Sequence, residues 1–157
     1  MRVFSVYLIS LILFSCNSKR SENVYPPNHQ NFYNSIRESS KVADILYYRD
    51  FATSKISILA GQYKTPQGLD SVLSYFGSES LDTTCSVFSS GGPIGEILFY
   101  RDTSRTELVA GFNFTFADNC TGFYKGFEGT STKLTMSVYG QKHLEELHYK
   151  VKSYWTK

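Results

Sequence analysis

Between residues 107 and 117 the apolar side chains recur at every second position, the spacing of a β-strand that buries one face. The apolar positions are Leu108, Ala110, Phe112, Phe114 and Phe116. A second apolar segment, residues 96–101, precedes the polar run 102–104, whose Asp, Thr and Ser are typical of a turn. The pattern predicts an antiparallel hairpin, and a hairpin with one apolar face needs a second layer to cover it.

Further strands are predicted from branched and aromatic residues at 42–49, 55–59, 122–127 and 133–138. The first two segments are close enough along the chain to form another hairpin. Aromatic residues make up 16% of the chain, an excess that favours sheet, since Phe and Tyr suit half-buried pleated surfaces.

Two helices are predicted. One begins at Thr65 and Pro66, a capping hydroxyl followed by a proline at the first helical position, and ends at Gly77. Its apolar stripe is formed by Leu69, Val72, Leu73 and Phe76. After Gly140 the apolar period becomes helical again, which predicts a C-terminal helix. The stripe of that helix contains Leu144, Leu147, His148, Val151, Tyr154 and Trp155.

These segments predict an α+β fold of two layers for residues 41–157. An antiparallel sheet of five to six strands would carry one central and one C-terminal helix packed on it. We expect a single domain, because about 120 residues can bury one core.

The N-terminal 16 residues have the pattern of an export signal. A basic residue at position 2, an apolar stretch over 3–14 and the small Ser15 describe a signal peptide, and the stretch is shorter than the ~20 residues that span a bilayer. Residues 13–16, Leu-Phe-Ser-Cys, resemble the lipobox of bacterial lipoproteins, in particular those of Bacteroidota. The resemblance implies that residues 1–15 are removed, that Cys16 is lipidated, and that the membrane is one partner of the mature chain.

The residues after Cys16 indicate in which membrane the chain is anchored and how the anchor is connected to the domain. By resemblance to lipoprotein sorting rules, Asn17 implies the outer membrane. The basic residues at 19–20 replace the acidic run of surface-exported lipoproteins, which favours the periplasmic face. Residues 16–40 are polar and predict a flexible tether, in which a short helix over 28–38 is an open alternative.

With Cys16 assigned to lipid, Cys85 and Cys120 remain as an even pair in a compartment that permits disulfides. They lie at similar distances from the predicted turn at 102–104, so we expect them to face each other across the hairpin and form a disulfide. A redox centre is the alternative, but it usually shows a C-x-x-C spacing, which is absent from the sequence.

The sequence lacks a recognisable catalytic or metal-binding set. Its histidines are His29, His143 and His148. The last two are five residues apart rather than the four that place both on one helix face, and no G-x-S-x-G motif accompanies them. The chain has 16 basic residues, of which Arg2 leaves with the signal, against 14 acidic ones, which argues against nucleic-acid binding. No metal or other cofactor is expected.

Three functional hypotheses follow. The first is a non-enzymatic domain that binds another protein as an inhibitor, immunity or envelope-assembly factor. The second is a small-ligand or glycan binder with a pocket between sheet and helix, lined by Tyr100, Phe112 and Tyr124. The third is a hydrolase of envelope polymers, which would need two carboxylates facing each other across a cleft.

Overall fold

The computed structural model describes residues 29–49, 56–80, 92–116, 120–125 and 132–155. This part of the chain contains three helices and seven strands. In chain order they are α1 (His29–Ser39), β1 (Val42–Tyr48), β2 (Ser57–Tyr63), α2 (Pro66–Leu73), β3 (Phe76–Ser80), β4 (Gly95–Tyr100), β5 (Leu108–Thr115), β6 (Gly122–Lys125), β7 (Thr132–Met136) and α3 (Val138–Trp155).

The strands form one sheet in the order β2-β1-β4-β5-β6-β7-β3, and every neighbouring pair is antiparallel. The predicted α+β class is confirmed. The sheet has one strand more than the upper limit expected, because the predicted central helix ends early. It stops at Leu73, and Phe76 pairs with Met136 in β3 instead of extending the helical stripe.

The predicted hairpin is formed by β4 and β5, with Ile97 opposite Phe112. Its turn is organised by Asp102, whose carboxylate accepts hydrogen bonds from the Ser104 and Thr106 hydroxyls and from the backbone N–H groups of Thr106 and Glu107. These bonds hold the pKa of the Asp102 carboxyl well below its usual range. Within the same turn Arg105 has φ 62°, in the left-handed region.

All three helices contribute to one apolar core on the same side of the sheet, which we call the core face. Among its fully buried strand residues are Ile45, Ile97, Phe112, Phe114 and Phe123. The helices add Ile36 from α1, Leu69 and Val72 from α2, and Leu144 and Val151 from α3. The predicted stripe of the C-terminal helix therefore packs on the core, except for Tyr154, which is 69% exposed.

The folded domain begins earlier in the chain than predicted, at helix α1. Residues 16–40 were expected to be a flexible tether, yet Ile36 is only 3% exposed and the Tyr33 hydroxyl donates to the Gly77 carbonyl at 3.0 Å. The folded domain thus includes residues 29–39. The signal peptide and Cys16 lie outside the described residues and stay predictions. No helix in the described ranges is both long and apolar enough to cross a bilayer.

Cys120 is disulfide-bonded. Its predicted partner, Cys85, lies outside the described residues, so the pairing stays a prediction. The symmetry argument behind it is wrong, however, because β5 ends at Thr115 and Cys120 lies after it, beside the start of β6. The buried Tyr124 hydroxyl donates to the Cys120 carbonyl, which holds Cys120 beside β6.

Candidate functional site: the outer face of the sheet

The side of the sheet opposite the core face, here called the outer face, carries the alternate residues of each strand. Leu46 and Glu96 pair with each other directly and point away from the core residues Ile45 and Ile97. The leucines of the outer face are absent from the cluster that the three helices build. The described helices do not cover this face. Its residues on β5–β7, among them Asn113 and Tyr124, are nevertheless buried, so the exposed part of the outer face lies over β2, β1, β4 and the start of β5.

Four leucines form a continuous diagonal band across the outer face of β2, β1, β4 and β5. They are Leu59, Leu46, Leu98 and Leu108. Leu108 was expected on the buried face with Phe112, but the register shift between Phe99 and Tyr100 places it opposite Tyr100, on the outer face. Leu59 pairs directly with Leu46, and Leu98 lies diagonally from Leu46, since Leu46 itself is opposite Glu96. We call these four residues the leucine band.

At the β4–β5 end of the band, Leu98 and Leu108 lie on either side of Gly111. Gly111 is opposite Leu98 in the sheet, and a Cβ atom placed on it would lie 3.1 Å from Leu98 Cδ2 and 4.0 Å from Leu108 Cδ2. Both leucine side chains therefore extend over the glycine backbone. At the two ends of the band, Leu59 is 50% and Leu108 is 55% exposed.

Such a band is unusual for the open face of an antiparallel sheet, which normally carries polar side chains. Scattered exposed leucines need no explanation, but a contiguous apolar patch with polar edges marks a surface that meets another molecule. The leucine band is the described feature with this character.

One edge of the band is formed by a buried ion pair. The Asp44 side chain is almost fully buried, and its carboxylate accepts from the Arg105 guanidinium and from Gln62 Nε2, the latter at 3.2 Å. Tyr100 lies beside this pair. Burial and the nearby Asp44 charge raise the pKa of the Tyr100 hydroxyl. The left-handed Arg105 in the turn brings its side chain back over the outer face.

The other edge is formed by Glu96 and Tyr48, whose side chains are hydrogen-bonded and partly buried. Burial raises the pKa of the Glu96 carboxyl, while the hydrogen bond from Tyr48 acts in the opposite direction. Burial also raises the pKa of the Tyr48 hydroxyl, with a further contribution from the Glu96 charge. In each of the described ion pairs the arginine binds an acid other than Glu96.

The predicted ligand-binding residues are not brought together. Phe112 is buried on the core face, and its ring lies 4.8 Å from that of Phe76. Tyr124 pairs with Asn113, so it points to the opposite side from Phe112, while Tyr100 lies at the edge of the leucine band. Aromatic side chains fill the space between sheet and helices where a pocket was expected, so these three residues cannot line one pocket.

The two histidines of α3, His143 and His148, contact aromatic side chains. His143 Nε2 lies 2.9 Å from the Tyr63 hydroxyl, and the His148 ring stacks on Tyr47. No set of three His, Cys, Asp or Glu residues suited to a metal ion occurs within the described ranges. The arrangement supports packing roles for both rings.

A shallow depression on the exposed side of α3 is the remaining concavity of interest. Its lining residues are Lys142, Glu145, Glu146, Tyr149 and Lys150. They come from one solvated helix face, on which Gln141 and Glu145 are hydrogen-bonded at 2.8 Å. This depression has the mixed charge of an ordinary helix surface.

The sequence did contain a signal for the leucine band. In residues 42–48 one alternating set is apolar, Ala43, Ile45 and Tyr47, and the other is apolar apart from Asp44. A strand that is apolar on both sides indicates that both of its faces are covered. No protein-family model, curated protein or solved structure gives a match to this chain.

Proposed function

We propose that this chain is a lipoprotein, anchored through Cys16 at the periplasmic face of the outer membrane, whose domain binds another protein without catalysis. The leucine band is the observation that carries the proposal. Its four side chains remain outside the core, and completing the burial of the exposed Leu59 and Leu108 would contribute up to roughly 1.5–3 kcal/mol each.

The shape of the surface favours a protein over a small molecule. The band crosses four adjacent strands, which at ~4.8 Å per strand spacing is about 14 Å wide. Small-molecule sites are concave and enclose their ligand, whereas this surface is the open side of a sheet. An apolar centre bordered by Asp44–Arg105 and Glu96–Tyr48 has the arrangement of a protein interface, apolar in the middle and polar at the rim.

The hydrolase hypothesis finds little support on the same face. Asp44 and Glu96 are both carboxylates of the outer face, on neighbouring strands. Asp44 is only 3% exposed and is already bound to Arg105 and Gln62, so it is not available to a substrate. A second carboxylate facing Glu96 across a cleft would be required.

Site-specific photo-crosslinking in intact envelopes tests the proposal. A photoreactive phenylalanine analogue replaces Leu108 in the full chain, and the matched control replaces Tyr149, which is 80% exposed on α3. We expect a discrete, reproducible protein adduct from position 108 and a much weaker one from position 149. Equal adducts from the two positions, or none from either, would contradict the proposal.

A further inference from the structure

We infer that the protein segment covering the leucine band presents a basic side chain, Lys or Arg, to Glu96. This inference rests on the proposed function and specifies the chemistry of its partner. It follows from the place of one carboxylate at the border of an apolar surface.

Glu96 stands in register with the band. It is directly opposite Leu46, which is directly opposite Leu59, and Leu98 is the next residue of β4 on the same face. A surface that covers Leu46 and Leu98 therefore comes next to the Glu96 carboxylate, which is a direct neighbour of both leucines on the outer face. The carboxylate thus belongs to the border of the contact surface.

The carboxylate has one hydrogen-bond donor, Tyr48, and no cation among the described residues. Arg105, a cation on the same face, is engaged by the buried Asp44. Tyr100 lies close enough to Asp44, Glu96 and Arg105 to be influenced by all three charges. Asp44 is thus neutralised by Arg105, whereas none of the described ion pairs includes Glu96.

Covering an uncompensated carboxylate with apolar surface is costly, because the remaining water is removed and nothing replaces it. A partner that brings an ammonium or guanidinium group to the carboxylate avoids this cost and gains a charge-assisted hydrogen bond. The same site disfavours a partner with an acid or a purely apolar residue at that point. Charge complementarity at Glu96 therefore selects the partner, while the leucine band supplies contact area.

The test uses the adduct formed from position 108 as its readout. Glu96→Gln keeps the shape and the acceptor for Tyr48 but removes the charge, and Glu96→Lys reverses it. Glu146→Gln, an exposed acid on α3, is the matched control. We expect the yield of the adduct to fall about 5-fold for Glu96→Gln and at least 20-fold for Glu96→Lys, and to stay unchanged for Glu146→Gln.

Mass spectrometry of the adduct locates the crosslinked segment of the partner. We expect a Lys or Arg there, and replacing that residue by Glu should restore the adduct of the Glu96→Lys variant. Washing isolated envelopes at high salt should lower the yield for the wild type more than for Glu96→Gln. An unchanged yield in Glu96→Gln, or failure of the reversed pair to recover, overturns the inference. The proposed function fails separately, if position 108 gives no specific adduct in the wild type.

Discussion

The ring of His148 on α3 lies parallel to the ring of Tyr47 on β1, with centroids 5.0 Å apart and planes inclined by 5°. The buried Tyr47 hydroxyl also donates to the Leu144 carbonyl one turn earlier in the helix. One strand residue thus binds the last helix by stacking and by a hydrogen bond. This contact joins β1, the strand that contributes Leu46 to the leucine band, to the helical layer.

The stability of the domain should fall when His148 is protonated. Burial, and then the Lys152 charge, lower the pKa of His148 below its ordinary value, so the folded state favours the neutral ring. This stabilisation is complete above the unfolded pKa of about 6.5 and is lost as the pH falls through the lower folded value. We expect the free energy of unfolding in urea to decrease between pH 7.5 and 5.5, and His148→Gln to remove part of that decrease. Identical pH profiles for the two proteins would refute the assignment.

The ion pair Asp44–Arg105 should contribute measurably more than the exposed pair Arg101–Glu107. The side chains are 5% and 33% exposed in the first pair but 55–57% in the second. Because Arg105→Ala leaves the buried Asp44 carboxylate without its cation, we expect this substitution to lower the free energy of unfolding by about 2 kcal/mol. A double-mutant cycle with Asp44→Ala should give a coupling above about 1 kcal/mol, against less than about 0.5 kcal/mol for the exposed pair. Equal couplings would show that burial adds nothing here.

Gly140→Ala should destabilise the domain although alanine is the better helix former. A Cβ at Gly140 would lie 2.5 Å from Tyr75 Cβ and 2.6 Å from Tyr75 Cα, where α3 crosses the end of α2. The overlap with backbone outweighs the ~1 kcal/mol that alanine gains in a helix, and we expect a net loss of about 2 kcal/mol in urea unfolding.

Gly111→Ala is the control for that measurement. Its nearest contact would be 3.1 Å from Leu98 Cδ2, the end of a flexible side chain. The loss there should stay below about 1 kcal/mol. A stabilised Gly140→Ala protein would mean that α3 does not approach Tyr75 this closely.

Mass spectrometry of the exported protein tests the predicted modifications of the three cysteines. We expect a mature chain that begins with lipidated Cys16, and a non-reduced digest that links the Cys85 and Cys120 peptides. In the chain-entropy model, removing that bridge by Cys120→Ser should cost about 3 kcal/mol. An unmodified Cys16, or a Cys120 peptide joined to anything but Cys85, would contradict the assignment.

The parts of the fold that local patterns specify could be predicted from the sequence. The β4–β5 hairpin has a period-two strand and an Asp-led turn, both visible within about 20 residues. Strand β3 was missed because Phe76 fits the helical stripe of α2 equally well, and only pairing with Met136 decides between them. Helix α1 was left open because its burial depends on distant partners, the Gly77 carbonyl and the ring of Phe112.

The candidate site could not be predicted, because it depends on register between strands. Leu59 meets Leu46 only because β1 and β2 shift register between Ile45 and Leu46. Leu98 and Leu108 come together across Gly111, which no spacing within one strand reveals. The sequence indicated that residues 42–48 are apolar on both sides apart from Asp44, but the neighbours of each leucine required the structure.

Hydroxyl-radical footprinting tests the central claim, that another protein covers the outer face, without any substitution. Oxidation of Leu59 and Leu108 is compared between intact envelopes and the purified full chain, with Tyr149 as the internal reference. The account predicts that both leucines are protected at least 3-fold in envelopes while Tyr149 reacts equally in the two samples. Equal oxidation of the leucines in envelopes and in the purified chain would contradict it.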